Sequence, residues 1–226
     1  MSGLRIVAID GPSASGKSST AGEVARRLGL VHFDTGALYR ALAWVALESG
    51  TEEPERILHA AARAGLALEL TEGRMLVQAA GRDLEQQLRS PEVSAGASRV
   101  AGHPLLRDWV NERLRAGVMA AGGGVLDGRD IGTVVFPDAR LKVFLTATPE
   151  VRALRRLRQR GDAVDPSLLP QEAAALAERD RRDAARAVAP LVQAPDAILL
   201  DSTALSLGEQ VERIVAMARE RGLLHD

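Results

Sequence analysis

The sequence predicts an α/β fold: a five-stranded parallel sheet wrapped by helices, with a small antiparallel β insertion. Three observations predict this class. Short apolar, β-branched runs alternate with segments whose apolar residues recur three and four positions apart. A glycine-rich stretch follows the first of these runs directly. The segment 66–90 breaks the alternation and has the pattern of a hairpin.

The elements follow one another as strand and helix for most of the chain. The predicted strands cover 5–10, 31–33, 124–127, 141–145 and 197–200. The predicted helices cover 18–28, 35–49, 104–120, 149–160, 168–187 and 206–221. Such alternation implies parallel strands joined by right-handed crossovers. Within 66–90, the runs 66–70 and 75–79 flank a polar turn, which predicts an antiparallel hairpin inserted on this core.

The composition excludes several classes of protein. Among 226 residues, 29 basic side chains nearly balance 30 acidic ones, so a polyanion binder driven by bulk charge is not expected. Aromatic residues are only 3%, which leaves few platforms for stacking nucleic-acid bases. Cysteine is absent, which excludes disulfides and thiolate chemistry. No run approaches the length of a membrane span, so we expect a soluble, cytoplasmic protein, without nucleic-acid or membrane partners and monomeric.

Lysine is rare in this chain. Of the 29 basic residues, only Lys17 and Lys142 are lysine. Lys17 belongs to the segment Gly11-Pro12-Ser13-Ala14-Ser15-Gly16-Lys17-Ser18, which matches G-x-x-x-x-G-K-[ST] and lies between a predicted strand and a predicted helix. In such a loop the backbone N–H groups surround phosphate oxygens, the lysine reaches the β- and γ-phosphates, and the serine hydroxyl is a ligand for Mg²⁺. The motif predicts binding of a nucleoside triphosphate.

Two further segments lie where predicted strands end. Asp34, Thr35 and Gly36 open a helix and can be explained as a helix cap, but capping does not explain Arg40, one turn further on. The tetrapeptide 127–130, Asp-Gly-Arg-Asp, follows the third strand, at the edge where parallel sheets bind ligands. Its Asp127 is placed like the carboxylate that orders Mg²⁺ in enzymes with this loop, although a plain β-turn is the alternative for this segment.

Three segments accompany the loop: 34–40 (D-T-G-A-L-Y-R), 128–139 (G-R-D-I-G-T-V-V-F-P-D-A) and 178–191 (E-R-D-R-R-D-A-A-R-A-V-A-P-L). Together with the loop, they resemble the bacterial cytidylate kinase family. The resemblance runs from about residue 5 to 220. It implies a nucleoside monophosphate kinase of the P-loop type that transfers the γ-phosphoryl group of ATP to CMP, and to dCMP, with Mg²⁺. The chain departs from the family at two places. Threonine replaces the usual serine at position 35 and keeps its hydroxyl group. At the end of the loop, residues 16–19 are Gly-Lys-Ser-Ser where the family often has Gly-Lys-Gly-Thr, and no functional group that the activity needs is lost.

The resemblance also implies a role for individual residues. The loop from Gly11 to Ser18, with Ser19, would bind ATP, and Lys17, Arg129 and Arg186 would act in catalysis. The phosphate of the acceptor would be held by Arg40, Arg129 and Arg186, whose guanidinium groups suit a dianion. Cytosine would be read by Ser98, Arg107 and Asp130, and the ribose by Arg179 and Asp183, with Thr35 also at the acceptor. The metal would be held by Ser18 and Asp127.

Residues 179, 183 and 186 have the spacing i, i+4 and i+7, which predicts that one face of one helix presents all three. An exposed face of Arg–Asp pairs is the alternative. The arginine-rich helix near 152–160 resembles the edge of a lid over ATP, with Arg155, Arg156 and Arg160 as the candidates for contact. A solvated basic face explains most of its arginines equally well.

The expected organisation is a single domain over 1–226. It comprises a core of about 1–35, 104–155 and 188–226, a monophosphate-binding region with the hairpin at about 36–103, and a short lid at about 156–168. Two rival functions remain. One is a P-loop kinase for another small acceptor (UMP, dTMP or shikimate). The residues that match the family's cytosine-binding positions argue against it. The other is a nucleotide-dependent switch, against which the absence of the GTPase motif Asn-Lys-x-Asp argues.

Overall fold

The computed structural model describes residues 3–161 and 165–224. The chain divides into two compact units, one formed by residues 30–124 with the first residues of the chain, the other by 5–29 and 125–226. The predicted lid at about 156–168 includes residues 162–164, which lie outside the described residues. The subdivision into core, monophosphate-binding region and lid stays a prediction.

The unit of residues 5–29 and 125–226 is built on a sheet with the strand order β6-β1-β7-β8. Its strands are β1 (Arg5–Asp10), β6 (Gly123–Gly128), β7 (Leu141–Thr146) and β8 (Ile198–Asp201). Strand β7 is parallel to both β1 and β8, with Val7 opposite Leu141 and Val143 opposite Ile198. Strands β1 and β6 are buried over nearly their whole length, as expected for parallel strands covered on both faces.

Helices flank this sheet. They are α1 (Lys17–Leu28), α6 (Pro149–Arg160), α7 (Leu169–Ala184) and α8 (Leu207–Glu220). Helices α1 and α8 pack on each other, and so do α6 and α7. Lys142 of β7 is almost entirely buried, and its amino group bonds to Oδ1 of Asp196 at 2.9 Å. The second lysine of the chain therefore has an internal ion-pair partner.

The other unit contains the antiparallel insertion. Its elements are β2 (His32–Asp34), α2 (Thr35–Ser49), α3 (Pro54–Arg63), β3 (Leu66–Thr71), β4 (Arg74–Ala79), β5 (Arg82–Asp83), α4 (Pro91–Val100) and α5 (Pro104–Ala120). Strands β3 and β4 form the predicted hairpin, in register from Leu66 opposite Ala79 to Thr71 opposite Arg74. Strand β4 also pairs with β2 in parallel and with β5 in antiparallel orientation. This unit ends at Gly124, and a Cβ on that glycine would lie 2.6 Å from the ring of Phe33 in the same unit.

The α/β class with an antiparallel insertion is confirmed. Predicted strand and helix bounds agree with the observed ones to within a few residues. Helices α3 and α4 were not predicted. The predicted helix 168–187 is too long, since α7 ends at Ala184. Beyond it Ala189 has φ 51°, in the left-handed region, and Leu191 N–H bonds to the carbonyl of Asp183, so the chain turns away from the helix axis. Among the described residues, no helix is long and apolar enough to cross a membrane.

Candidate active site

The loop from Gly11 to Ser18 connects β1 to α1 and curls tightly. Gly11 has φ 148°, and a Cβ on it would lie 2.1 Å from the carbonyl oxygen of Leu145, so only glycine fits there. Gly16 caps α1 with φ 98°, and Ala14 has φ 58°. This curl directs the start of α1, with the positive end of its dipole, toward the concave side of the loop, which suits an anion.

Lys17 is buried in the loop. Its amino group donates to the carbonyl oxygen of Pro12 at 2.6 Å and lies 3.3 Å from Oγ of Ser15. Burial lowers the pKa of Lys17 well below its usual value, the positive charge of Arg129 lowers it further, and Asp127 opposes the shift. A phosphate anion bound in the loop would favour the charged amino group.

Ser18 and Asp127 meet at the start of α1 and the end of β6. The Ser18 hydroxyl donates to Oδ2 of Asp127 at 2.5 Å. Hydroxyl and carboxylate oxygens are ligands that suit Mg²⁺. Within residues 3–161 and 165–224, no group of three or more acidic, histidine or cysteine side chains could hold a metal by itself. The pair fits a Mg²⁺ whose other ligands are phosphate oxygens and waters, as is usual for this ion.

Arg129 links the loop to two residues near the end of α7. Its Nη2 donates to Oγ of Ser13 at 3.0 Å, and its Nε donates to Oδ2 of Asp183 at 3.1 Å. Arg186 bonds to the other oxygen, Oδ1, of Asp183. The structure therefore brings these two predicted arginines and the carboxylate together beside the loop.

Asp183 is almost fully buried, and burial by itself would raise its pKa. The charges of Arg129, Arg186 and Arg179 outweigh burial and hold that pKa below the ordinary aspartate value. Asp183 is thus an anion that anchors two arginines. The expectation that residues 179, 183 and 186 share one helix face is wrong, because Arg186 lies two residues beyond the end of α7.

Asp130 follows Arg129 and is buried. Its carbonyl oxygen accepts the N–H groups of Val134 and Val135, which closes a single π-helical turn over Ile131–Val135. The N–H groups of the next two residues, 131 and 132, donate to the carboxylate of Asp10 at 2.9 and 2.8 Å. The segment that carries Arg129 and Asp130 is therefore fastened to the end of β1.

Asp10 was not predicted as a site residue. Burial raises its pKa to about 6, against the opposing effect of the Gly132 and Ile131 hydrogen bonds. An acidic residue that closes an apolar strand directly before the glycine-rich loop is the one signal in the sequence that could have indicated it.

In the other unit, Arg40 is held at the start of α2. Its Nη2 bonds to Oδ2 of Asp34 at 2.6 Å, while Oδ1 of the same carboxylate accepts Ala37 N–H and caps the helix. A Cβ on Gly36 would be 2.9 Å from Nη1 of Arg40, so glycine leaves room for the guanidinium. Thr35, the first residue of α2, is buried. Asp34 thus serves both as helix cap and as anchor for the arginine.

Arg107 is the largest fully buried side chain among the described residues. Its guanidinium lies 5.5 Å from the ring centre of Tyr39 and donates to the carbonyl oxygen of Ala101 at 3.1 Å. Ala101 follows α4, the helix that carries Ser98. A buried guanidinium stacked on an aromatic ring is held in one orientation, which suits recognition of a planar ligand.

The three lid candidates on α6 differ in their contacts. Arg155 donates to the Ser15 carbonyl oxygen at 2.9 Å and to Oγ and the carbonyl oxygen of Ser202. Burial lowers its pKa. Arg156 bonds to Gln159 of its own helix, and Arg160 bonds to Glu172 of α7. Of the three, Arg155 supports the backbone of the loop.

A parallel α/β sheet with this loop and a buried lysine is the arrangement of P-loop nucleotide-binding proteins, and the adjacent arginines suit one that transfers phosphoryl groups. The sequence model of the cytidylate kinase family matches residues 7–220. The chain is 43% identical to a cytidylate kinase of Solibacter usitatus, with 96% of this chain and 93% of that one covered. It is 46% identical to a cytidylate kinase of Pseudomonas aeruginosa, with 96% of each covered. A bifunctional pantoate ligase/cytidylate kinase of Synechococcus is 44% identical over 96% of this chain and 44% of its own.

The chain therefore belongs to the cytidylate kinase family. It is an enzyme of that family, whose reaction is phosphorylation of CMP by ATP.

Proposed function

We propose that this chain phosphorylates CMP, and dCMP as a second acceptor, through the residues described above, with Mg²⁺ on ATP. One observation carries the assignment: Arg129 bonds both to Ser13 of the loop and to Asp183, which also anchors Arg186. A guanidinium fixed between a phosphate-binding loop and a carboxylate that also holds a second arginine is placed to neutralise charge on a phosphoryl group in transfer.

On the donor side, the loop from Gly11 to Ser19 surrounds the phosphates of ATP with backbone N–H groups, and Lys17 contacts the β- and γ-phosphates. Ser18 and Asp127 hold Mg²⁺, whose charge, when it is bound, offsets that of the phosphate oxygens. Arg155 and Arg156 act on the donor side, with Arg155 stabilising the loop through Ser15.

On the acceptor side, Arg40, Arg129 and Arg186 bind the phosphate of CMP. Ser98, Arg107 and Asp130 read the cytosine, since a carboxylate accepts from the N4 amino group and a guanidinium donates toward O2 and N3. Arg179 and Asp183 contact the ribose, and Thr35 contributes its hydroxyl.

In the transfer step, an oxygen of the CMP phosphate forms a bond to the γ-phosphorus of ATP while the bond from that phosphorus to the β–γ bridging oxygen breaks. The products are CDP and ADP. The attacking oxygen is already anionic, so no side-chain base is required. The protein's contribution is to position both nucleotides and to neutralise charge, with Lys17, Arg129 and Arg186 nearest to the transferred group.

An acceptor screen tests this function. The purified protein is incubated with ATP, Mg²⁺ and one monophosphate at a time, and ADP release is measured for CMP, dCMP, UMP, dTMP and AMP. We expect the highest kcat/KM with CMP, activity with dCMP, and much lower values with the others. A preference for UMP, dTMP or AMP would contradict the assignment of the cytosine readers. The monomeric state, the cytoplasmic location and the absence of nucleic-acid partners stay predictions; size-exclusion chromatography with light scattering tests the first.

A further inference from the structure

Ser13 of the phosphate-binding loop is held at all three of its polar groups. Its N–H donates to Oδ1 of Asp180 at 2.8 Å, and its carbonyl oxygen accepts from Nη1 of Arg152 at 3.1 Å. Its hydroxyl accepts from Arg129. The side chain of Arg152 comes from α6 and that of Asp180 from α7. Two helices therefore fix the backbone of one loop residue.

Arg152 and Asp180 also form an ion pair with each other, and little of either side chain is exposed. Removing two charges from water is costly, and a well-packed apolar pair is often at least as stabilising. The same two helices already have a second ion pair, between Arg160 and Glu172 at 2.8 Å. Holding α6 and α7 together is therefore not enough to explain why Arg152 and Asp180 form a buried ion pair.

The guanidinium of Arg152 is not fully satisfied by the protein. Its Nε is buried and has no hydrogen-bond acceptor within residues 3–161 and 165–224. Buried polar atoms in proteins are usually paired with protein groups or ordered water, so an unpaired one needs an explanation. Arg152 therefore keeps one buried donor that its ion pair with Asp180 and its bond to Ser13 do not use.

Ala14, the residue after Ser13, has a backbone conformation that depends on these contacts of the two helices. Ala14 has φ 58°, a conformation that is unfavourable for any residue with a Cβ. Such a conformation persists where its surroundings fix it. Because Asp180 and Arg152 hold the backbone of Ser13 on either side of its Cα, they fix the direction in which the chain enters Ala14.

We propose that Arg152 and Asp180 are positioning residues for the phosphoryl donor, which keep the loop in its ATP-binding conformation before ATP is bound. The inference rests on the proposed ATP site in this loop. Asp180 lies on the helix that carries Arg179 and Asp183, so α7 serves the donor loop as well as the acceptor groups. Neither Arg152 nor Asp180 is required to touch the reacting atoms.

The test compares affinities for the two nucleotides. Dissociation constants of a non-hydrolysable ATP analogue and of CMP are measured by calorimetry for the wild type, Arg152→Ala, Asp180→Ala, Asp180→Asn and the double alanine variant. We expect the analogue to bind about tenfold or more weakly to both single alanine variants, since the apparent affinity falls in proportion to the fraction of protein whose loop is in the binding conformation. CMP affinity should stay near that of the wild type. Asp180→Asn, which keeps an acceptor for Ser13 N–H, should recover part of the loss.

The double variant should bind the analogue no more weakly than the worse single variant, because both residues act through Ser13. Glu172→Gln is the matched control: it breaks the other ion pair between α6 and α7 and should leave both affinities unchanged. If an alanine variant does not fold, Arg152→Lys and Asp180→Asn are judged by the same comparison.

Unchanged analogue affinity with a lower melting temperature would overturn the inference, and so would equal losses for the analogue and CMP. The proposed function is tested separately, because its failure would show as a wild-type protein that does not phosphorylate CMP.

Discussion

Nε of Arg129 donates to Oδ2 of Asp183 at 3.1 Å, and the other oxygen of the same carboxylate bonds to Arg186. A single buried anion thus sets the distance between two cations that would otherwise repel each other. The arrangement fixes both guanidinium groups before a substrate is bound, so little reorganisation is needed when charge develops on the transferred phosphoryl group.

Arg186→Ala should lower kcat more than it weakens CMP binding. A guanidinium near the transferred group contributes most where charge is redistributed in the transition state, so we expect kcat to fall by about 10²-fold. Steady-state kinetics and CMP calorimetry measure the two effects. Arg182→Ala is the control, because Arg182 is exposed and its nearest carboxylate partner, Glu178, lies 3.9 Å away. Equal effects at both positions would mean that general surface charge is being measured.

Lys17→Ala should abolish phosphoryl transfer and leave CMP affinity within a few-fold of the wild type. Its amino group belongs to the donor side, and loss of one preorganised charge contact costs roughly 10²–10³-fold in rate. Single-turnover kinetics with ATP and CMP checks the rate. A variant that keeps more than about a tenth of the wild-type turnover would refute the role given to the loop.

Asp130→Asn should reduce discrimination against UMP. The wild-type carboxylate accepts from the cytosine N4 amino group, whereas uracil presents a carbonyl oxygen that it repels. An amide presents either a donor or an acceptor, so the penalty against UMP should shrink by roughly 1–3 kcal/mol. The measurement is the ratio of kcat/KM for CMP over UMP in both proteins. An unchanged ratio with both activities reduced equally would show that Asp130 only orients Arg129.

Asp10→Asn should change how stability depends on pH. The folded-state pKa of Asp10, about 6, lies above the ordinary value of 3.8, so the folded protein binds a proton that the unfolded chain has already released. The favourable contribution of Asp10 is therefore present below pH 4 and is lost as pH rises to about 6. The like charge of Asp130 adds to this effect, and Lys17 opposes it.

Urea unfolding of wild type and Asp10→Asn between pH 4 and 7.5 tests this shift. The free energy of unfolding of the wild type, relative to the variant, should fall with rising pH by up to about 3 kcal/mol, at about 1.4 kcal/mol per pKa unit. Titrating groups that do not interact with Asp10 cancel in the comparison. A difference that does not vary with pH would show that the carboxyl group does not titrate in this range.

Most strands and helices could be predicted because their apolar residues recur with a clear period. The hairpin 66–79 was also evident from its polar turn. Helix α3 was missed although Pro54 stands at its first turn, because only Ile57 and Ala61 on it are buried and the apolar stripe is short. The end of α7 was placed three residues too late, because the left-handed φ of Ala189 and the hydrogen bond from Leu191 depend on tertiary structure.

The candidate site could be predicted where a residue type and its spacing carry the chemistry, as for Lys17, Ser18 and Asp127. The contacts of Asp10, Arg152 and Asp180 could not, because each acts on backbone N–H or carbonyl groups of the loops, and only the position of Asp10 at the end of a strand gave any signal. Almost every residue has a backbone N–H and carbonyl group, so no residue type in the sequence indicates which position such a side chain contacts. Only the fold brings Asp180 to Ser13, 167 positions earlier in the chain.

The burial of Lys142 against Asp196 has a practical consequence for chemical modification. Only 8% of Lys142 is exposed, and Lys17, the chain's other lysine, is buried in the nucleotide loop. Acylating reagents directed at lysine amino groups therefore meet two shielded targets, one of them at the ATP site. Modification of Lys17, followed by peptide mass spectrometry with and without ATP, would thus report occupancy of the loop with almost no background from surface lysines.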